Sequence, residues 1–190
     1  MILRAADRLA VPWKNGGGLT REVAVHPPGS DLGNFDWRVS IAEVQRGGPF
    51  SLFPAVDRHL AVISGSLVFS VSGRDPLTLS PDSHFVAFPG DAPASAEPVE
   101  LPVTDLNVMT RRGRFFARLR RSSVPGEPVI RLETDTTLIV AMGPLVVRAP
   151  GIECSLTALD AARFSASGQA VTLRAAGPAA VFWLIEICAL

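Results

Sequence analysis

An all-β fold built from two small barrels is what this 190-residue sequence predicts, and three observations carry the prediction. Prolines and glycines, 16 of each, punctuate the chain and cut it into short runs rich in Val, Ile, Leu and Phe. Short apolar runs at that spacing read as strands joined by turns. No long segment keeps a helical hydrophobic period between the breakers, and only residues 5–9 have room for a helical turn. The third observation is that one strand–turn–strand segment occurs twice.

Taken in order, the first marked segment is Pro12-Trp13-Lys14-Asn15-Gly16-Gly17-Gly18. Lys14 is the single lysine among 18 Lys and Arg side chains. A compact ammonium differs from a planar guanidinium in reach and hydration, so its survival among arginines marks it as a candidate contact. The alternative is a solvated lysine on a flexible glycine turn. Trp37-Arg38-Val39-Ser40-Ile41-Ala42 alternates, placing Arg38 and Ser40 on one face and Trp37, Val39 and Ile41 on the other. Gly47 to Pro54 is a turn-rich loop bearing Phe50 and Phe53, which read as core, and Asp57 and Arg58 follow it. Leu60–Ile63, Leu67–Val71 and Phe85–Phe88 read as strands.

Asp105-Leu106-Asn107-Val108-Met109-Thr110-Arg111 alternates strictly, so Asp105, Asn107, Met109 and Arg111 share a face. If the apolar faces pack outward, Arg38, Ser40, Asp105 and Asn107 line one cavity, and Arg38 is the expected partner of Asp105. The alternative is a solvated outer face. The run from Arg111 to Arg121 is strongly basic and reads as alternating charges on an exposed strand, paired with acids elsewhere.

The repeat matches Leu60, Val62, Gly65, Leu67, Val68 and Gly73 to Leu138, Val140, Gly143, Leu145, Val146 and Gly151, 78 residues on. After a slip of one residue, Leu77 and Phe85 match Leu156 and Phe164. This predicts a first barrel over residues 1–120 and a second over 121–190, joined near Gly126 and Pro128. Phe182-Trp183-Leu184-Ile185-Glu186-Ile187 is nearly all apolar where the first copy has its polar alternation. The first barrel is therefore expected to be lined, the second filled. Arg58 stands where the second copy has Thr136, so building the unit does not require it.

With 47% hydrophobic and 19% charged residues, the chain has ample apolar area for a core. A formal net charge of zero argues against a general nucleic-acid binder or a polybasic membrane anchor. Cys154 and Cys188 lack metal spacing and form no disulfide framework, and both read as small buried hydrophobes. The N-terminus is charged almost at once and Ala179 to Leu190 is too short to span a bilayer, so a cytoplasmic protein is expected. His26, His59 and His84 are scattered, and no metal or other cofactor is expected.

PWKNGGG (12–18), DWRVSIAEV (36–44), GPFSLFP (48–54) with DR (57–58), and DLNVMTRRGR (105–114) together resemble the HutD/Ves family, in order and over most of the chain. The resemblance implies a cupin-type fold, two jelly-roll β-barrels in one chain (a bicupin), without metal. Its HutD members are associated with bacterial histidine utilisation and its Ves members with stress induction, and no reaction is established for it. Carried over by motif, Trp13, Lys14, Asn15, Arg38, Ser40, Arg58, Asp105, Asn107 and Arg111 mark a ligand pocket. His59 departs from the hydroxyl or apolar residue expected after Arg58.

These readings lead to a sensor or modulator of a small carboxylate. Lys14, Arg38 and Arg58 would supply positive charge, and Asn15, Ser40 and Asn107 would read polar groups. By analogy the ligand is a formylated or formiminated glutamate. The alternative is a metal-independent enzyme with Asp105 as acid or base and Lys14 as stabiliser. A scaffold acting through the arginine run is the third reading.

Overall fold

The computed structural model describes residues 1–175 and 177–190, and all regular structure in them is β. Two compact units form: Leu9–Phe116, and Met1–Arg8 with Ala117–Leu190. β1 (Ile2–Leu3) pairs with a late strand, so the first eight residues belong with the C-terminal unit. A turn closed by the Arg8 amide donating to the Ala5 carbonyl follows it.

The unit of residues 9–116 contains β2 (Ala10–Pro12), β3 (Gly18–His26), β4 (Trp37–Val44), β5 (Gly48–Pro49), β6 (Val56–Val71), β7 (Leu77–Leu79), β8 (Val86–Pro89) and β9 (Ala94–Arg111). Its sheet runs β2-β3-β4-β9-β6-β7, with β5 on β9 and β8 on β6. β6 and β9 are long because they bend together. The first half of β6 pairs with residues 104–111 and the second half with 94–98, with register shifts between Val62 and Leu67. Gly65 sits at the bend with φ +71°, and a Cβ there would strike the carbonyl oxygens of Glu100 and Pro102. Only glycine meets both demands.

The bend brings Leu60 and Val62 into one core with Leu67, Phe69 and Val71, joined by Val44, Val86, Phe88 and Val103. Side-chain packing across the folded sheet closes the unit. The backbone does not: the hydrogen-bonded strands form an open path, not the closed ring expected from the sequence.

The second unit continues with β10 (Phe115–Val124), β11 (Val129–Arg131), β12 (Thr136–Ala141), β13 (Leu145–Ala149), β14 (Ile152–Leu156), β15 (Ala161–Phe164), β16 (Ala170–Ala175) and β17 (Ala180–Ala189). These form two open sheets, β1-β15-β12-β17-β10 and β11-β16-β13-β14. Ile139, Ala141, Phe182 and Leu184 of the first pack with Leu145, Val147, Val171 and Leu173 of the second.

The sequence repeat and the packing agree only in part. Leu67 and Leu145 are core positions 78 residues apart, and Gly73 and Gly151 share a positive φ, +80° and +74°. Before the bend, however, Leu60 and Val62 face the first core, whereas Leu138 and Val140 lie on the opposite face of β12 from Ile139 and Ala141. Because side chains alternate along a strand, a one-residue difference at the bend exchanges the faces. Across the unit containing β10, Arg118 pairs with Glu133, while Cys154 and Cys188 are half-buried, not fully enclosed.

Candidate functional site

The inner face of the first unit is set by register. Across β4 and β9, Arg38 lies opposite Met109, Ser40 opposite Asn107 and Ala42 opposite Asp105. Across β9 and β6, Asp105 lies opposite Val62, Asn107 opposite Leu60 and Met109 opposite Arg58. Directly opposed residues point to the same side of a sheet. Leu60 and Val62 belong to the core, so Arg38, Ser40, Asp105, Asn107 and Arg58 all face inward. The corresponding β12–β17 face of the second unit carries Ile139 opposite Leu184 and Ala141 opposite Phe182, and is apolar.

Arg58 is 3% exposed and Asp105 2%. The Arg58 guanidinium carbon lies 4.8 Å from the Phe50 ring centroid, 5.1 Å from that of Phe88 and 5.5 Å from that of Phe53. One terminal nitrogen donates to the Ser51 carbonyl at 3.3 Å, and Nε has no partner. Burial lowers the Arg58 pKa to about 10, against the field of Asp105, with Arg38 lowering it further. Burial raises the Asp105 carboxyl to about 7, against the attraction of Arg58. Asp105 Oδ1 and Asn107 Oδ1 are both buried without a donor.

Arg38 does not pair with Asp105. Its Nε donates to Glu22 at 2.9 Å and its Nη1 to the Ser40 hydroxyl at 3.3 Å. Glu22 lies opposite Ser40 just before an irregularity between Glu22 and Ala24, which brings a carboxylate to the inner face within reach of Arg38. A half-exposed acid satisfies the arginine at lower desolvation cost than a fully buried one.

The segment from Trp13 to Gly18 closes on itself. The Trp13 amide donates to the Gly18 carbonyl and the Gly16 amide to the Trp13 carbonyl, both at 2.9 Å. Asn15 Oδ1 accepts from the Gly17 amide at 3.0 Å and its carbonyl from Arg46 at 2.8 Å. Trp13 Nε1 donates to Thr20 Oγ1 at 2.8 Å, and the ring packs at the edge of the core. Lys14 is exposed at the tip, and among the described residues no hydrogen bond or ion pair restrains its ammonium. The turn is thus ordered around a free cation, not loosely strung glycines.

Three arginines carried over or adjoining by motif are engaged elsewhere. Arg111 donates to the carbonyls of Phe35 at 2.9 Å, Pro54 at 3.2 Å and Gly33 at 3.4 Å, and stacks over Phe35. It ties two loops together. Arg112 is paired with Asp57 and Asp91, and Arg114 with Asp36. His26 stacks on Trp37, and the partly buried His59 packs edge-on against Phe85, with its pKa lowered by burial. Among the described residues, no three His, Cys, Asp or Glu side chains gather at one point.

The HutD family model matches residues 5–183. This chain belongs to the HutD family. An uncharacterised 21.2 kDa protein from the hutC 3' region of Pseudomonas putida is 36% identical over 63% of the chain and 62% of that protein. Protein Ves of Citrobacter koseri is 39% identical over 57% of the chain and 56% of its own length. The chain thus spans about three-fifths of these curated relatives. The solved HutD of Pseudomonas fluorescens is 30% identical over 100% of this chain and 98% of its own, with a TM-score of 0.83. A cupin 2 conserved barrel domain protein of Leptotrichia buccalis, 9% identical over 94% of the chain and 92% of its own, has a TM-score of 0.60 and shares the fold alone. No helix of the described residues is long and apolar enough to cross a membrane.

Within this HutD-family chain, the inner residues that sequence reasoning missed are Glu22 and Phe88. Thr20 and Glu22 do alternate with Leu19 and Arg21, but the irregularity that aligns Glu22 with Ser40 has no sequence mark. Phe88, read from the sequence only as part of a strand, belongs to the core and also lies against the Arg58 guanidinium.

Proposed function

We propose that this protein binds a small carboxylate inside the unit of residues 9–116 and acts as a sensor or modulator in histidine utilisation, with stress response as the other setting. The observation that carries this reading is the inward-facing set Arg38, Ser40, Arg58, Asp105 and Asn107, with unpartnered polar atoms, where the second unit is apolar. Buried polar atoms without partners are rare in folded proteins and are expected where a ligand completes them. Lys14, exposed on its turn, and Arg38, on the inner face beside Ser40 and Glu22, are the cations we assign to meeting a carboxylate, one at each end of β4. Arg58, caged by three rings, sets the field behind it.

Trp13 and Asn15 shape the turn that presents Lys14, and Arg111 holds the adjoining loops. The hutC-region and HutD names of the relatives favour a ligand of the formylated or formiminated glutamate type. We read the two units as the halves of a bicupin, divided near residue 120, working in the cytoplasm without a resident metal, nucleic acid or membrane. Supporting the bicupin reading, β6 meets β9 in two halves, as β12 meets β17 and β13 meets β16.

One observation favours a second reading, a metal-independent enzyme. An Asp105 carboxyl titrating at about 7 is placed to exchange a proton near neutrality. A scaffold role through the arginine run has less support, because Arg112, Arg114 and Arg118 are engaged with acids. A thermal-shift screen of histidine-degradation intermediates tests the binding reading, since a ligand selective for the native state raises the melting temperature by mass action. A dose-dependent rise with one acylated or formiminated amino acid supports it; no rise with any carboxylate overturns it. Consumption of that ligand by the protein would favour the enzyme.

A further inference from the structure

The interior has a polarity that a carboxylate alone does not match. Asp105 and Asn107 are alternate residues of β9 on the inner face, and each buries an Oδ1 with no donor. A carboxylate ligand brings only acceptors, so it leaves the Asn107 oxygen unsatisfied and meets Asp105 only when that carboxyl is protonated. An acceptor buried without a donor costs roughly 1–3 kcal/mol, so two neighbouring ones favour an occupant that brings N–H groups. The guanidinium of Arg58 cannot fill this role in place. It lies among Phe50, Phe53 and Phe88, donates to the Ser51 carbonyl, and makes no hydrogen bond to either oxygen.

Resting on the carboxylate reading above, we infer that the ligand carries at its far end a planar N–H-bearing group, a carboxamide, N-acylamino or amidine, that donates to Asp105 and Asn107. The molecule would then span the face. Its N–H end meets the Asp105–Asn107 pair, and its carboxylate turns toward Arg38, the next inward-facing residue of β4 beyond Ser40. The inner face is graded accordingly, with cation and serine on β4 and bare acceptors on β9. The charged group that acts on Asp105 is Arg58 on β6, while Arg38 on β4 and Glu22 on β3 lie further along the same sheet, level with Met109 and Asn107. With the carboxyl near half-protonated at about pH 7, an N–H donor favours the ionised form and drives a proton off. A bound acceptor favours the protonated form and takes one up.

Two monocarboxylates of equal length separate the possibilities: succinamate, with a terminal carboxamide, and monomethyl succinate, with an ester that has no N–H. Both are titrated calorimetrically near pH 7 into the full chain, in buffers of differing ionisation enthalpy. Succinamate is expected to bind roughly tenfold tighter, the size of one charged hydrogen bond, and to release protons. In Asp105→Asn, checked for folding by circular dichroism, the preference should shrink and the proton release vanish. Equal or tighter binding of the ester, or proton uptake with succinamate, overturns the inference and leaves the carboxylate reading standing. Failure of both compounds and of succinate to bind at millimolar concentration overturns the carboxylate reading and this inference with it.

Discussion

Arg58 and Asp105 lie on neighbouring strands of one inner face, both almost wholly buried and oppositely charged, yet no hydrogen bond joins them. Each perturbs the other through space: Asp105 supports the charge of Arg58, and Arg58 restrains the rise of the Asp105 pKa, while burial dominates both. The pair sets the charge of the interior without closing it off to a third group.

That relationship gives a pH dependence of stability with a definite sign. The Asp105 carboxyl titrates at about 7 when folded and near 3.8 in its unperturbed form. The folded state therefore holds the extra proton between those values, and stability falls as pH rises from about 4 through 7. A shift of this size corresponds to at most about 4 kcal/mol. Denaturant melts from pH 4.5 to 8 should show this decline in the wild type and a flatter profile in Asp105→Asn. An equally steep decline in the variant would assign the slope to other groups.

The two units should respond differently to truncation of equivalent faces. Leu184 is buried in the second core, and Leu184→Ala should cost about 2–5 kcal/mol by leaving a cavity. Asn107→Ala removes an acceptor that has no donor, so its cost should stay within about 1 kcal/mol while ligand affinity falls. Chemical unfolding of both variants checks the contrast. Equal costs would erase the difference between a lined and a filled interior.

The alternation of Asp105 to Arg111 and of Trp37 to Ala42 made the inward face of β9 and β4 legible before any coordinates, because period 2 is a local property. The partner of Arg38 was not legible, because it depends on a β3 irregularity that slides Glu22 opposite Ser40. The repeat was legible as two strand–turn–strand segments, yet Leu60 and Leu138 face different ways because the bends at Gly65 and Gly143 differ in backbone conformation. Arg111 looked like a pocket residue by its alternation. Only the folded loops bring the carbonyls of Gly33, Phe35 and Pro54 to its guanidinium.

Asp160 is predicted to be an acid-sensitive anchor of the second unit. Burial alone would raise its pKa, but the amides of Thr157 and Ala5, Arg4 and the Thr157 hydroxyl donate to it and bring it down to about 2. A depressed folded pKa stabilises above the unperturbed value near 3.8, and that stability is lost as pH falls toward 2. Asp160→Asn should therefore lower stability by about 2 kcal/mol at neutral pH and much less near pH 2. Thermal melts at the two pH values decide it; a loss independent of pH would point to packing instead of charge.

Lys14 stands exposed at the tip of an ordered turn, so stability and binding should separate cleanly there. Lys14→Ala and Lys14→Arg should both unfold within about 0.5 kcal/mol of wild type, as for a surface side chain without partners. If the ammonium meets the ligand carboxylate, Lys14→Ala should weaken binding by about one to two decades, the loss of a charged hydrogen bond. Arginine should not restore it. Gly18 packs against the Glu43 carbonyl and the Trp13 ring, which fixes the base of the turn, so the longer planar head presents its donors at a different distance from the ligand. Calorimetric titration of a screened carboxylate against the three proteins is the check. Wild-type affinity in Lys14→Ala would return this lysine to the solvent and leave Arg38 as the cation that meets the ligand.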